Sequence, residues 1–245
     1  MSDTTTAIIT GSSSGIGLDI ARAFLAQGGN VVLNGRDADR LAKAAAGLGH
    51  PERIAQVPGS IGAAETGEAL VRTAVERFGA VDVLVNNAGT FAAKPFTEVT
   101  EEELDGFLAG NLKGTYLTTQ AVVRRLRAQG RGGSIVNIGT VLVDHALAGF
   151  PASAAVASKG GVHALTTSLA AELAAEGIRV NLVAPGVVRT PLHAGTEVDS
   201  LGGIALLNRV GEVSEIADAV LYLAGAAFVT GHSLRVDGGH VTGRS

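Results

Sequence analysis

Short apolar runs rich in Val and Ile alternate along this chain with longer stretches whose apolar residues recur every three or four positions. The runs are Ala7–Thr10, Asn30–Leu33, Ile54–Val57, Val81–Val85, Ser134–Ile138, Arg179–Val183 and Ser233–Val236. Continuous apolar runs of this length read as strands buried on both faces of a sheet. The stretches between them, Gly15–Gln27, Asp37–Leu48, Ala63–Phe78, Glu101–Gln129, Ala152–Glu176 and Val213–Ala224, read as helices. Thr100 ahead of Glu101, Glu102 and Glu103 predicts a hydroxyl cap with acid in the first turn. Ser214 ahead of Glu215 predicts another start, and Gly177 after Glu176 predicts a C-terminal glycine. Strict β–α alternation predicts one α/β domain, a doubly wound sheet of about seven parallel strands with helices on both faces. Ligands of such sheets bind beyond the carboxyl ends of the strands, near the point where strand order reverses.

Composition narrows the chemistry. With no Cys in 245 residues, disulfides, thiolate zinc sites, Fe–S clusters and a cysteine nucleophile are excluded. Apolar residues make up 46%, which argues for a packed chain. The net charge of −4 gives no electrostatic reason to expect a nucleic-acid partner. Neither a secretory signal pattern nor a run of about 18 apolar residues is visible, so a soluble cytoplasmic protein without a membrane span is expected. Glycine, at 34 residues, is in excess and points to tight turns and close backbone approaches.

Those glycines concentrate where a nucleotide would sit. Strand one ends at Thr10 and is followed by Gly11-Ser12-Ser13-Ser14-Gly15-Ile16-Gly17 and an amphipathic helix. Gly11 permits a tight turn, Gly15 lets backbone approach a pyrophosphate, and Gly17 allows close packing of helix on strand. The helix N-terminus supplies free N–H groups and a positive dipole end.

The spacing T-G-x-x-x-G-x-G resembles that of the short-chain dehydrogenase/reductase family. Asn86-Asn87-Ala88-Gly89 after strand four resembles its N-N-A-G motif. Asn111 within Gly110-Asn111-Leu112-Lys113-Gly114 resembles its helical Asn, and Pro185 to Pro191 matches its P-G-x-x-x-T-P pattern. Val236-Asp237-Gly238-Gly239 resembles its C-terminal D-G-G. The resemblance spans nearly the whole chain. It implies a Rossmann fold and an oxidoreductase with a nicotinamide dinucleotide. The implied cofactor contacts are Gly11, Ser13, Ser14, Gly15, Ile16, Gly17, Asn86, Ala88, Gly89, Lys159, Pro185, Gly186, Val188 and Thr190. It also implies a homotetramer, with a homodimer as the fallback, built through the Glu101–Gln129 and Ala152–Glu176 helices and the last strand.

The end of strand two bears on which dinucleotide is used. Gly35 stands where NAD-preferring relatives usually carry Asp, and Arg36 follows it. An arginine there pairs with the 2′-phosphate of NADP, so NADP(H) is expected. The alternative is a surface arginine paired with Asp37 or Asp39. Ser14 is not basic, so a second phosphate clamp seen in some relatives is missing. Ser60-Ile61 stands where many relatives carry an Asp beside adenine.

The catalytic segment departs from the family. Relatives use a Tyr as acid one helical turn before a Lys, with a Ser that orients the carbonyl and an Asn that links the Lys to solvent. Here Ala157-Ser158-Lys159 supplies the Lys, but Ala155 occupies the Tyr position. The chain has only Tyr116 and Tyr222, both at apolar helical spacings and both expected in the core. Thr140 falls at the Ser position, and its hydroxyl can still donate. The stretch from Thr140 to Ala155 is slightly longer than usual and contains Asp144 and His145. His145 is a candidate replacement acid, or else a solvent-facing loop residue. His50 and His240 read as loop residues, His163 as a helix residue, His193 as part of the substrate loop, and His232 as structural. No metal site is expected.

Three functions remain open at this stage. The chain reduces an imine, whose nitrogen arrives protonated, with Asn111 and Thr140 orienting it and Lys159 holding the ribose. Or it reduces ketones and oxidises alcohols, with His145 or a Thr140–water–Lys159 relay as acid and base. Or it binds nucleotide without turnover. The segment of about 190–212, with Leu192, Leu201, Gly202, Gly203, Ile204, Leu206 and Leu207, reads either as a mobile lid over a small apolar substrate or as a subunit contact. Phe91, Phe96 and Phe150 are candidate pocket residues.

Overall fold

A computed structural model describes residues 4–191 and 197–243. The seven expected strands are all present. They are β1 (Thr6–Ile9), β2 (Asn30–Gly35), β3 (Ile54–Pro58), β4 (Val83–Asn86), β5 (Gly133–Ile138), β6 (Ile178–Pro185) and β7 (Ser233–Val236). They form one parallel sheet in the order β3-β2-β1-β4-β5-β6-β7. The chain winds outward from β1 to β3, then returns to lay β4 on the other side of β1. Strand order therefore reverses between β1 and β4, and the loops leaving these two strands meet there.

Residues alternate across the sheet and feed two cores. Ala7, Ile9, Val31 and Leu33 pack with Ile20, Phe24, Ile216 and Leu223 on one face. Ile8, Val32, Leu84 and Ile135 pack with Leu70, Val122, Leu126 and Leu173 on the other. The helices are α1 (Gly15–Ala26), α2 (Ala38–Leu48), α3 (Ala64–Phe78), α4 (Glu101–Phe107), α5 (Gly114–Gln129), α6 (Ser153–Leu173) and α7 (Val213–Gly225). Each fully buried Ile or Leu contributes roughly 1.5–3 kcal/mol relative to exposure, so burial on both faces fixes the strands firmly.

Three expectations about helices need correction. The predicted Glu101–Gln129 helix is not uniform, because Leu108–Lys113 winds as a π-helix between α4 and α5. The predicted helix ending at Glu176 stops at Leu173 and tightens into a 3-10 turn over Ala174–Glu176, closed by Gly177 at φ +70°. Ser214 does not cap α7; Glu212 does, through a reciprocal box with Glu215. Thr100 caps α4 as expected, accepting from the Glu103 amide while the Glu103 carboxylate accepts from the Thr100 amide.

Candidate active site

The loop after β1 and the loop after β4 are sewn together by side chains. The Thr10 hydroxyl oxygen accepts from the amides of Asn87 at 3.1 Å and Ala88 at 3.0 Å. The Asn87 carboxamide donates to the carbonyls of Thr10 and Gly11, both at 3.0 Å. The fit is close enough that a Cβ on Gly11 would lie 2.7 Å from Ala88 Cα. A Cβ on Gly17 would lie 2.5 Å from the Gly11 carbonyl oxygen. The N-terminus of α1 points from this loop. Ser14 makes no capping bond and no acidic side chain stands in the first turn, so among the described residues no side chain caps these N–H groups. The end of β6 closes the other side: Thr190 and Pro191 lie against Gly15, and the Gly186 amide donates to Val236.

These features suit a dinucleotide pyrophosphate, which needs close backbone and free amides. Of the residues grouped by sequence as cofactor contacts, the structure sets Gly11 against Ala88 and Gly17, Gly15 against Thr190, and Gly89 against Lys159. Others are engaged elsewhere: the buried Asn86 carboxamide donates to Thr119 and Asn137, and Ile16 packs on the core. Val188 is buried and bridges to Gly211.

Arg36 stands exposed in a shallow basin lined by Asp37, Ala38, Asp39 and Arg40. Asp37 is committed to the N-cap of α2, accepting from the Arg40 amide at 2.9 Å, and that bond holds its carboxyl below the usual range. The alternative pairing of Arg36 with Asp37 or Asp39 is not formed: among the described residues Arg36 has no ion pair.

The π-helical turn places Asn111 at the centre of the site, fully buried. Its carboxamide donates to the Thr90 carbonyl at 3.0 Å and to the Ser158 hydroxyl at 2.9 Å, and accepts from the Thr90 amide at 2.8 Å. Ser158 in turn donates to the Ala155 carbonyl. One turn of α6 onward, Lys159 Nζ donates to the Ile138 carbonyl at 2.6 Å. Gly89 leaves the space between them: a Cβ there would lie 2.9 Å from Asn111 Oδ1 and 3.2 Å from Lys159 Nζ. Burial pushes the Lys159 ammonium down from 10.5 to about 8.

Thr140 follows β5, half-buried, with its hydroxyl oxygen accepting from the Leu142 amide at 3.2 Å. Its proton is free to donate outward. Ala155 is buried on α6, and no phenol approaches it. Tyr116 and Tyr222 are not in the core as expected; they are 52% and 59% exposed, on the outer faces of α5 and α7. Periodicity identified their faces, but none of the described residues covers those faces.

The histidines sort differently from the sequence reading. His145 lies exposed, and its ring meets His240 edge-on at 5.5 Å. His240 is buried, not a free loop residue, and among the described residues its Nε2 has no hydrogen-bond partner. Burial first, then His145, lowers its pKa, against the pull of Asp237. His163 packs beneath Gly139, where a Cβ would lie 2.6 Å from its Nε2. Burial lowers its pKa; the Asp144 carboxylate opposes this, Lys159 adds to it, and the Thr140 backbone opposes it. The sequence places His163 on the long helix and gives it no role, although it stands four residues after Lys159 on one helical face.

Phe91 and Phe150 stack at 5.9 Å, while Phe96 is 79% exposed. Leu192 and His193 lie outside the described residues. Val198–Ile204 forms a 3-10 helix, and Leu206 and Leu207 beyond it stay exposed while touching Gly239 and Gly238. Among the described residues no cluster of metal-ligating side chains occurs, and no helix is long and apolar enough to cross a membrane.

Comparison with known proteins adds the lineage. The family described as Enoyl-(Acyl carrier protein) reductase matches residues 11–241. The chain is 37% identical over 250 residues to L-rhamnose 1-dehydrogenase (NAD(P)(+)) of Azotobacter vinelandii, covering 96% of this chain and 95% of the relative. It is 38% identical over 243 residues to galactitol 2-dehydrogenase (L-tagatose-forming) of Cereibacter sphaeroides, covering 96% and 94%. The crystal structure of a short-chain type dehydrogenase/reductase from Mycobacterium marinum superposes with a TM-score of 0.91 at 30% identity, covering 96% and 95%.

Proposed function

The chain belongs to the short-chain dehydrogenase/reductase family, and on that premise we propose that it is an NADP(H)-dependent oxidoreductase working without a phenolic acid. Its substrate is a small, largely apolar molecule with a C=N or C=O bond. The observation that carries this reading is an intact Asn111–Ser158–Lys159 floor beneath an alanine at position 155. When bound, the cofactor supplies the hydride. The loop Gly11–Gly17 and the uncapped end of α1 hold its phosphates, Arg36 its 2′-phosphate, and Lys159 its nicotinamide ribose. Thr140 donates a hydrogen bond to the reacting group and fixes its orientation. The stacked Phe91–Phe150 pair and Leu206 supply apolar wall.

An iminium substrate suits these residues. Its nitrogen arrives already protonated, and hydride addition at carbon yields a neutral amine, so no side chain has to deliver a proton to the reacting atom. The relatives named above, dehydrogenases by name, favour a second reading in which the substrate is a ketone or alcohol. There the alkoxide oxygen takes a proton from Lys159 through water, with Thr140 as its other partner. His145, the other candidate acid, has its ring against His240, which favours the lysine route.

Paired panels of cyclic imines and matching ketones, followed by NADPH consumption, test the reading. Turnover of imines over ketones supports the first form, and turnover of ketones that survives His145→Ala supports the second. NADPH binding with silence on both panels refutes the enzyme reading in favour of a nucleotide-binding protein. We also propose assembly as a homotetramer, with a homodimer as fallback. The exposed Tyr116 on α5, and Tyr222 and Phe228 at α7, are aromatic surface of the kind subunit contacts bury. Light scattering after gel filtration reads the mass, and a monomer refutes it.

A further inference from the structure

We propose that His163 is a positioning residue for the Thr140 hydroxyl, its ring filling the space left by the missing Gly139 side chain and supporting the Gly139–Thr140 turn from beneath. The inference rests on the reading above, in which Thr140 orients the substrate. The ring is wedged, with Nε2 buried and, among the described residues, without a hydrogen-bond partner. A Cβ on Gly139 would come within 2.6 Å of that nitrogen, closer than real side chains approach. The same Cβ would strike Leu182 at 2.7 Å, so strand β6 crowds Gly139 as well. Above the ring runs the segment that carries the chemistry. The backbone of Thr140 and the carboxylate of Asp144 both act on the imidazole, and Asp144 is itself tied to Arg235 at 2.9 Å.

Two side chains one turn apart on α6 thus grip consecutive residues at the end of β5. Lys159 holds the Ile138 carbonyl at 2.6 Å, and His163 lies against Gly139. Between them they fix where the strand stops and which way Thr140 faces. The Thr140 hydroxyl oxygen accepts from the Leu142 amide, so that single bond reports the rotamer. A displacement of about 1 Å at an orienting group is enough to slow a reaction about a hundredfold. A wedge that removes such freedom acts on turnover and leaves nucleotide binding alone, because the phosphate loop and Arg36 lie on other strands.

Amide hydrogen exchange on the intact protein reads the Leu142 bond directly and needs no substrate. In His163→Ala, exchange at Leu142 is expected to rise about tenfold, while the Ile135–Ile138 amides of β5 stay protected, showing that the fold is intact. His163→Leu, which refills the space beside Gly139, is expected to restore protection. Gly139→Ala is expected to release Leu142 as well, and to add nothing in the His163→Ala background. On a substrate found by the panels, His163→Ala is expected to lower kcat about tenfold with NADPH affinity changed less than about twofold. Unchanged exchange at Leu142 in His163→Ala overturns the proposal, and so does failure of Leu to restore protection. If wild-type protein turns over nothing on either panel, the functional reading fails by itself, and Leu142 exchange still decides whether His163 positions Thr140.

Discussion

Replacing Lys159 with Met is expected to make the protein more stable near neutral pH. Burial depresses the Lys159 ammonium from 10.5 to about 8. A depressed lysine binds fewer protons in the folded chain than in the unfolded one, so stability rises with pH between those two values. Below about 8 both states are protonated and the whole penalty is present; above 10.5 both are neutral and it is gone. The interval corresponds to about 3 kcal/mol as an upper bound, because the side chain keeps partial exposure to water. Met has similar length and no charge, so the substitution removes that penalty. It also removes the Nζ bond to the Ile138 carbonyl at 2.6 Å, at a cost of about 1–2 kcal/mol for a buried acceptor left short of a donor. The net gain is about 1–2 kcal/mol, worth about 2–4 °C in Tm per kcal/mol for a chain of this size. Urea unfolding of both proteins across the alkaline range provides the assay. The advantage of Lys159→Met is expected to shrink above about pH 8 and to reverse beyond 10.5, where only the lost bond remains. Parallel pH profiles, or a less stable variant near neutrality, refute the reasoning.

Arg36→Ala is expected to weaken NADPH binding about tenfold or more and leave NADH unchanged, read by fluorescence titration with both nucleotides; equal losses would refute the 2′-phosphate role. Thr118 is fully buried and its hydroxyl has no hydrogen-bond partner. Thr118→Val is therefore expected to be neutral or to stabilise by about 1 kcal/mol in chemical denaturation, because the burden of an unmet polar group disappears with the oxygen.

The strands were legible because parallel strands buried on both faces leave runs that helices do not. Val81–Val85 shortened to begin at Val83 because Val81 is instead held by Gln129 through both its amide and its carbonyl, a contact between segments far apart in sequence. The π turn at Leu108–Lys113 was not legible, since one extra residue per turn barely disturbs apolar spacing. What holds it is tertiary: Asn111 reaches Thr90 and Ser158, which sit on a loop and on another helix. Tyr116 and Tyr222 failed for a related reason, because a helical stripe marks a face without saying what covers it. His240 read as a loop residue because its burial depends on the C-terminal turn folding back over Leu206 and against His145. His163 was the readable omission. A glycine just before Thr140 and a histidine one turn after Lys159 are both visible in the text, but only the fold shows that one fills the space of the other.

Proton demand separates the two forms of the reaction and can be read from a pH profile. Hydride addition to an iminium carbon completes the product without a proton at the reacting atom. Its rate with a permanently charged iminium substrate, one bearing a fully alkylated nitrogen, is expected to stay level through the Lys159 titration at about 8. A ketone leaves an alkoxide that must be protonated, and the ammonium that supplies the proton disappears as pH rises through that same value. Removing a general acid costs about 10²–10⁴-fold, so ketone turnover is expected to fall steeply above about pH 8 in the reductive direction. The opposite slope is expected for alcohol oxidation, which needs the neutral amine as base. Lys159→Arg keeps a cation and moves its titration out of range, so it should abolish the ketone slope and leave the iminium rate without one. A ketone profile that keeps its slope in Lys159→Arg would place the acid elsewhere, with His145 next in line for substitution.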